Sequence, residues 1–443
     1  MENLLSLFFK YPKKAEIALS DEGGVCTATV SYMGKSAAAS AVGNAETRAL
    51  RAVWQACRGI SGITPPWGIL TGIRPDFVLR RLYDEGADKA RAREIMRADY
   101  LVSESKISLM EETASAFERL ASKQGEIAVY IGIPFCPTRC SYCSFISHDA
   151  VLMRRLEGEY TDRLCDEIDA TTGIIKSAGL KIRSVYIGGG TPTALGEDNL
   201  ARLLCKAQVL SKGADEFCVE AGRPDTINRE KLEIIKSAGA GRICINPQTA
   251  KNETLQKIGR AHTWEDFTAK YKLAREVGFD NINCDLIAGL EDEEARDFEK
   301  SIDSLLSLKP DGVTVHALYV KRGSRAGGGI EPYSEDAVKM TEYALLKCRG
   351  AGLLPYYLYR QKKTVSNLEN IGYAKSGREC IFNIDTMGDL SSVIALGAGG
   401  VTKLTDGART ERYSNFKNAD LYISDFDKII EKKKLITEFY ENE

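Results

Sequence analysis

Histidine is nearly missing from this 443-residue chain, which carries only His148, His262 and His316. Paired-imidazole metal sites therefore have almost nothing to be built from. Long apolar runs are missing too: no stretch approaches the roughly 18 to 20 uninterrupted apolar residues that a spanning helix needs, which excludes membrane insertion by such a helix. Charge of one sign is not in excess. Lys plus Arg number 60 against 62 Asp plus Glu, a formal net charge of -2, so bulk electrostatics favour neither nucleic acid nor an anionic bilayer. No internal repeat or low-complexity tract is evident. The opening run from Met1 to Lys10 puts an acid before a short apolar stretch and lysines after it, the reverse of a secretory signal. A cytoplasmic protein is expected.

What is present is enough apolar material for a core, 44% hydrophobic against 28% charged residues, in a chain long enough for about three domains or one barrel with appendages. Twelve cysteines are the unusual component. Nine of them (Cys26, Cys57, Cys165, Cys205, Cys218, Cys244, Cys284, Cys348 and Cys380) are scattered, mostly among apolar neighbours, and read as core thiols. Cys136, Cys140 and Cys143 instead fall within eight residues, where chance would place about 0.2. They follow the β-like run Ile127–Ile133 and so sit on a loop at the C-terminal end of a strand. Three thiolates there can wrap an iron-sulfur cluster with one iron left open, since four are usual for a cluster that only carries electrons. A zinc site completed by a distant histidine is the alternative, and no Cys-x2-Cys or His-x3-His partner accompanies it.

After Ile127, β-rich runs alternate with amphipathic ones. Ile127–Ile133, Ser184–Ile187, Glu216–Glu220, Arg242–Asn246, Asn281–Ile287 and Gly312–Leu318 are the predicted strands, with helices at Met153–Ser177, Asn199–Leu210, Arg229–Ser237, Thr263–Val277 and Glu293–Leu306. Six such alternations imply a parallel α/β sheet with right-handed crossovers, closed only part-way into a barrel. Chemistry in such sheets gathers at the C-terminal strand ends. There the chain places Gly188-Gly-Gly-Thr191-Pro192, Glu220, Asn246 with Gln248, Asp285 and His316. A glycine turn lets backbone N–H and C=O groups approach an amino-acid ligand closely. Glu220 and Asp285 can accept hydrogen bonds from ribose hydroxyls or an ammonium, and Arg260 offers a fork for a carboxylate.

Residues 1–126 read as a separate α+β region, with a strand over Val25–Met33, helices from about Ala45, Asp76 and Glu104, and a turn at Pro65–Pro75. Residues 127–320 form the partial barrel. Residues 321–443 form an α+β cover, with a glycine run at 327–329, a helix near Glu335–Arg349, the run Pro355–Lys363 and a charged tail, Asp425–Lys434, expected as a solvated amphipathic helix.

The cysteine loop resembles the radical S-adenosylmethionine (radical SAM) superfamily, whose signature is this Cys-x3-Cys-x2-Cys spacing. Tyr130-x3-Pro134-Phe135-Cys136, Gly188–Thr193, Asn246-Pro-Gln248 leading to Arg260, and Asn283-Cys-Asp285-Leu-Ile-x-Gly-Leu290 are similar to the oxygen-independent coproporphyrinogen III oxidase group. Pro66–Pro75 and Tyr357-x-Tyr359-Arg360-Gln361-Lys362 resemble markers of its coproporphyrinogen dehydrogenase branch, called HemZ. The resemblance implies a [4Fe-4S] cluster on Cys136, Cys140 and Cys143, SAM held by Tyr130, Gly189 and Glu220, and a second SAM near Tyr142, Gly190, Thr191, Gln248, Arg260 and Asp285. One-electron reduction of SAM would release a 5′-deoxyadenosyl radical, and two propionates of coproporphyrinogen III would be oxidatively decarboxylated to the vinyls of protoporphyrinogen IX. An electron donor such as flavodoxin or ferredoxin is implied. Phe145 stands where the best-known oxidases carry a further cysteine, and Ser144-Phe145 is similar to the related haem chaperones. A haem-binding chaperone and an anaerobic haem-modifying enzyme are therefore the alternatives. A polyanionic tetrapyrrole needs local cations, for which Lys321, Arg322, Arg325, Arg360, Lys362 and Lys363 are candidates, Arg360 as a propionate contact.

Overall fold

The computed structural model describes residues 1–72, 74–143, 150–319, 333–361, 364–389 and 391–441, with backbone only at 150–153. Ser144, Phe145, His148, Lys321, Arg322, Arg325, the 327–329 glycines, Lys362 and Lys363 lie outside the described residues. The strands are β1 (Glu16–Glu22), β2 (Val25–Tyr32), β3 (Lys35–Val42), β4 (Glu126–Ile133), β5 (Lys181–Gly189), β6 (Glu216–Gly222) and β7 (Arg242–Ile245). They continue as β8 (Ile282–Ala288), β9 (Gly312–Ala317), β10 (Leu354–Arg360), β11 (Glu369–Ala374), β12 (Ser392–Leu396), β13 (Val401–Thr405) and β14 (Thr410–Ser414). The chain divides into two compact units, 1–116 with 287–299 and 315–372, and 117–286 with 300–314 and 373–443.

In the first unit β1, β2 and β3 form an antiparallel meander. Ala28 and Val30 of β2 face Ala52, Val53 and Trp54 of the helix Arg48–Ser61, which fixes the inward face of the strand. Only β2 is legible as a strand by alternation. β3 is rich in Ala and Ser and β1 carries three acids, which obscure the strand pattern; both strands exist because Gly23-Gly24 and Met33-Gly34 take positive φ at both positions, as tight two-residue hairpin turns require. A helix not foreseen, Lys89–Ala98, starts where the Asp88 side chain accepts from the Arg91 N–H.

The two segments with the appearance of branch markers meet inside this unit. Arg360 stacks over the Trp67 ring at 4.9 Å and donates from Nε and Nη2 to the Gly72 carbonyl at 3.0 and 2.6 Å. Trp67 donates its indole N–H to Glu369 at 2.6 Å, and the fully buried Lys106 pairs with the same carboxylate at 2.6 Å. Opposite charges at hydrogen-bonding distance hold the Glu369 carboxyl below its ordinary range despite complete burial, which pushes the other way.

The second unit carries the sheet order β8-β7-β6-β5-β4-β12-β13-β14. From β4 to β8 the ladder is parallel, as the alternation of runs predicted. Helices run Ala150–Ser177, Glu197–Ser211, Arg229–Ser237, Trp264–Glu276 and Ala295–Ser307. The architecture is mixed α/β with a partial barrel at its centre. A further parallel strand, β12, lies against the outer side of β4, with Ser392 opposite Ile127 and Leu396 opposite Ile131. It was not legible because a hairpin, β13 and β14, follows it where a crossover helix would mark a parallel strand.

The charged tail is the expected amphipathic helix, with Asp427, Lys428, Glu431 and Lys434 exposed, but one of its lysines departs from expectation. The helix runs Phe426–Glu441, and Lys433 is fully buried, paired with the equally buried Glu167 at 2.8 Å. Glu167 also accepts from Asn415 Nδ2 at 2.8 Å, the Tyr422 hydroxyl at 2.6 Å and the Gly397 N–H at 2.8 Å. The inner face of the helix is thus pinned by charge as well as by apolar contact. Of the nine scattered cysteines eight are buried as expected; Cys205 is exposed. Among the described residues no helix is long and apolar enough to cross a membrane.

Candidate cofactor site

Strand β4 ends at Ile133, and the next residues turn over its C-terminal edge into Cys136, Cys140 and Cys143. Beside it, β5 ends in Gly188–Gly190. The Gly190 N–H donates to the Ile133 carbonyl at 2.6 Å and the Thr191 N–H to that of Phe135 at 2.8 Å, so the glycine turn is laced to the start of the cysteine loop. A Cβ on Gly190 would run into the Phe135 carbonyl, and one on Gly189, at φ +108, would lie 2.8 Å from the Ile133 carbonyl. Glycine is needed here because two backbones approach this closely. From the far side, the Ser141 N–H donates to the Ile258 carbonyl at 3.0 Å.

Cys136 and Cys140 are buried and Cys143 half-buried. The Cys136 thiol lies 3.3 Å from the Thr191 hydroxyl. Burial pushes it up to about 11; Thr191 opposes this, and the neighbouring Cys143 and Cys140 add repulsion. A buried Cys136 disfavoured as a bare thiolate suits a cationic centre that replaces its proton. Among the described residues no group of three or more His, Cys, Asp and Glu side chains is placed to hold a metal ion as it stands. What fits a metal centre is the donor chemistry of three cysteines on one loop.

Below the glycine turn lie Tyr130 of β4 and Tyr186 of β5, rings 6.3 Å apart and both stacked on Phe382, at 5.9 and 4.7 Å. A Cβ on Gly188 would meet Glu220 Oε2 and the Tyr186 ring at 2.7 Å, and one on Gly189 would lie 3.3 Å from the Tyr130 hydroxyl. Tyr130, Glu220 and the glycine turn thus converge. Burial, and then the Glu220 charge, push the Tyr130 phenol upward, which keeps it a neutral donor. Sequence reading missed Tyr186 and Phe382. Tyr186 is detectable by the period of two from Gly188; Phe382, from a short helix Ile381–Gly388 far along the chain, carries no local signal.

Around the other end of the loop, Arg260 donates to the Asn246 carbonyl and the Tyr142 hydroxyl, each at 3.2 Å. Gln248 holds a left-handed backbone, φ +68, and its N–H donates to the Asp285 carbonyl at 2.9 Å. Asp285 accepts from Asn283 Nδ2 at 2.8 Å. The buried Gln248 Oε1 and Arg260 Nε have no hydrogen-bond partner among the described residues, the state expected of groups that await a polar ligand. Tyr142, Gln248, Arg260 and Asp285 therefore share one neighbourhood with the cysteine loop.

The family model of the Radical SAM superfamily matches residues 130–305, the stretch that contains all of these groups except Phe382. The oxygen-independent coproporphyrinogen-III oxidase-like protein HemZ of Bacillus subtilis (strain 168) is 38% identical over 396 residues, covering 86% of this chain and 79% of its own length. The chain belongs to the radical SAM superfamily. Within it the chain is also similar to the heme chaperone HemW of the same organism, 34% identical over 266 residues, 58% of this chain and 66% of that one. Among solved structures, coproporphyrinogen III oxidase (HemN) from Escherichia coli, a radical SAM enzyme, aligns with a TM-score of 0.54 at 20% identity over 71% of this chain and 72% of its own, which shows a shared fold. Radical SAM proteins use a [4Fe-4S] cluster and SAM, and the residues here fit both: three cysteines on one loop, and a glycine cradle with orphaned polar atoms beside it.

Two candidates lie in the other unit. His316 is half-buried, its Nδ1 3.2 Å from Asn370 Oδ1. Arg360, the candidate propionate contact, is 1% exposed, stacked on Trp67 and bonded through Nε and Nη2 to the Gly72 carbonyl, while its buried Nη1 has no hydrogen-bond partner among the described residues. Desolvation lowers its pKa to about 10.

Proposed function

We propose that the chain is a radical SAM enzyme that acts on a tetrapyrrole, the oxygen-independent oxidative decarboxylation of coproporphyrinogen III to protoporphyrinogen IX. The observation that carries this reading is the likeness to the HemZ protein over 86% of the chain, well beyond the segment common to the superfamily. On this reading Cys136, Cys140 and Cys143 hold the cluster, and Tyr130, Gly189 and Glu220 hold SAM. Tyr142, Gly190, Thr191, Gln248, Arg260 and Asp285 hold a second SAM. When bound, the cluster supplies an electron and SAM the radical that abstracts a hydrogen. The chain's own part is positional: the glycine turn offers backbone N–H and C=O groups, Glu220 accepts from an ammonium or ribose, and the Tyr130–Tyr186–Phe382 stack lies beneath the turn. A flavodoxin- or ferredoxin-like protein would donate the electron.

A second reading, a haem-binding chaperone, is favoured by the likeness to HemW proteins, 34% identical in Bacillus subtilis and 27% in Escherichia coli. The test is anaerobic reconstitution with iron and sulfide, then incubation with SAM, a reductant and coproporphyrinogen III or haem separately. Formation of protoporphyrinogen IX is expected. Tight retention of unchanged haem with no loss of coproporphyrinogen would overturn the first reading in favour of the second. Iron content unaffected by Cys140→Ala would remove the basis of both.

A further inference from the structure

Strand β6 does not run straight out of the sheet after Glu220. Its register against β7 shifts between Glu220 and Gly222, and Gly222 takes φ +59. Such a bulge re-aims the next side chain, and here the next side chain is Arg223. Its N–H closes a tight turn onto the Ala221 carbonyl at 2.7 Å, and Pro224 starts a short helical turn behind it. The guanidinium is thereby driven back under the cysteine loop, where only 3% of the residue remains exposed.

Four of the five N–H directions of that fork are used. Nε and Nη2 meet the two oxygens of Asp225 at 3.0 and 2.8 Å, a bidentate pair that fixes the plane. Nη1 donates to both the carbonyl and the hydroxyl oxygen of Thr138, at 3.0 and 2.8 Å. Thr138 stands midway between Cys136 and Cys140. Its hydroxyl donates in turn to the Gly259 carbonyl at 2.8 Å, and Gly259 sits so close to the loop that a Cβ there would be 3.2 Å from the Arg139 carbonyl. One residue thus ties the middle of the ligand loop to the end of β6 and to the segment that leads to Arg260.

We propose that Arg223, oriented by Asp225, is the positioning residue of the cysteine loop: it sets the spacing of Cys136 and Cys140 through Thr138 before any cluster is present. This rests on the reading of that loop as the cluster-bearing one. Lysine cannot replace it, because a single ammonium cannot grip a carboxylate in a plane and reach a carbonyl and a hydroxyl at the same time. Groups that orient metal ligands from behind are worth roughly 10- to 100-fold in metal retention.

The experiment compares the wild-type chain with Arg223→Ala, Arg223→Lys and Thr138→Val after anaerobic reconstitution. The readouts are iron per chain, the rate of iron loss to a chelator, the electron paramagnetic resonance spectrum of the reduced cluster, and melting of the cluster-free proteins. Arg223→Ala and Arg223→Lys are expected to lose iron roughly 10- to 100-fold faster with an altered spectrum. Thr138→Val, at an exposed position, is expected to lose iron several-fold faster while melting as the wild type does, which a merely stabilising contact would not produce. Should Arg223→Ala fail to fold, the other two variants decide. Wild-type rates and spectra in Arg223→Lys and Thr138→Val, with iron loaded, would overturn the proposal. A wild-type chain that loads no iron, or one whose loading survives Cys140→Ala, would instead overturn the reading on which it rests.

Discussion

Glu167→Gln removes one charge and no volume from the interior of the second unit, and its cost follows from the geometry. Glu167 and Lys433 are both fully buried and 2.8 Å apart, and Lys433 has one further partner, the Ala395 carbonyl at 2.8 Å. Removing one member of a buried pair costs about 3–5 kcal/mol, because the remaining charge stays in a medium that solvates it poorly. The amide adds a second fault. If its oxygen continues to face Lys433 and Asn415, its NH2 group faces the Gly397 N–H, leaving a buried donor without an acceptor, a further cost of about 1–3 kcal/mol. These terms overlap, and a net loss of about 3 kcal/mol or more is expected. For a unit of roughly 250 residues that lowers the melting temperature by about 6–10 °C. Thermal unfolding followed by near-ultraviolet circular dichroism measures it. The double variant Glu167→Leu/Lys433→Met, which removes both charges, is expected to recover much of the loss. A Gln variant that melts within about 2 °C of the wild type would refute the claim that this pair pins the helix.

Gly397→Ala should destabilise the same unit by about 1–3 kcal/mol, since φ is +86 and the new methyl would press on the Gly132 carbonyl and lie 2.8 Å from the Tyr160 hydroxyl; a urea titration checks it. Arg360→Ala is expected to lower thermal stability by about 1–3 kcal/mol through loss of the Gly72 and Trp67 contacts. Wild-type melting with selectively weakened tetrapyrrole binding would restore a substrate role instead. His262 is fully buried, and burial followed by the Arg260 charge pushes its pKa from 6.5 down to about 4. Between those values the unfolded chain binds the extra proton, so stability is full above about pH 6.5 and falls by about 1.4 kcal/mol per unit as the pH drops toward 4. Unfolding titrations across that range should show a shallower slope in His262→Gln.

The cysteine loop, the glycine turn and strands β4 to β9 were legible because each leaves a local mark: a dense ligand spacing, a run of glycines, a period of two bounded by helical runs. Gln248 could be placed because it follows the end of β7 by a few residues and Asp285 because it lies within β8, whereas Arg260, beyond the helix Asn252–Lys257, was reached only through the motif that leads to it. What was not legible depends on partners distant in the chain. Nothing near Arg360 reveals that it is buried against Gly72 and Trp67; nothing near Lys433 reveals Glu167. Phe382 and β12 reach the barrel from beyond residue 372 and join residues of the core whose own sequence is complete without them. Arg223 was hidden differently: a backbone bulge at Gly222, not the residue pattern, turns it toward Thr138.

The position of β12 has a consequence for the order of assembly. The strand that leads into the cysteine loop has β5 on one side, available soon after synthesis, and on the other a partner about 265 residues later, Ser392 against Ile127. Closure over such a separation is slow, and the pairing cannot form until the chain past Leu396 has left the ribosome. Until then one edge of β4 is bare, and the Gly397 turn is absent from beside Gly132. On the proposed reading, loading of a cluster onto Cys136, Cys140 and Cys143 is therefore expected to follow synthesis past Leu396, and a nascent chain halted before Ser392 should carry the three thiols without retaining iron.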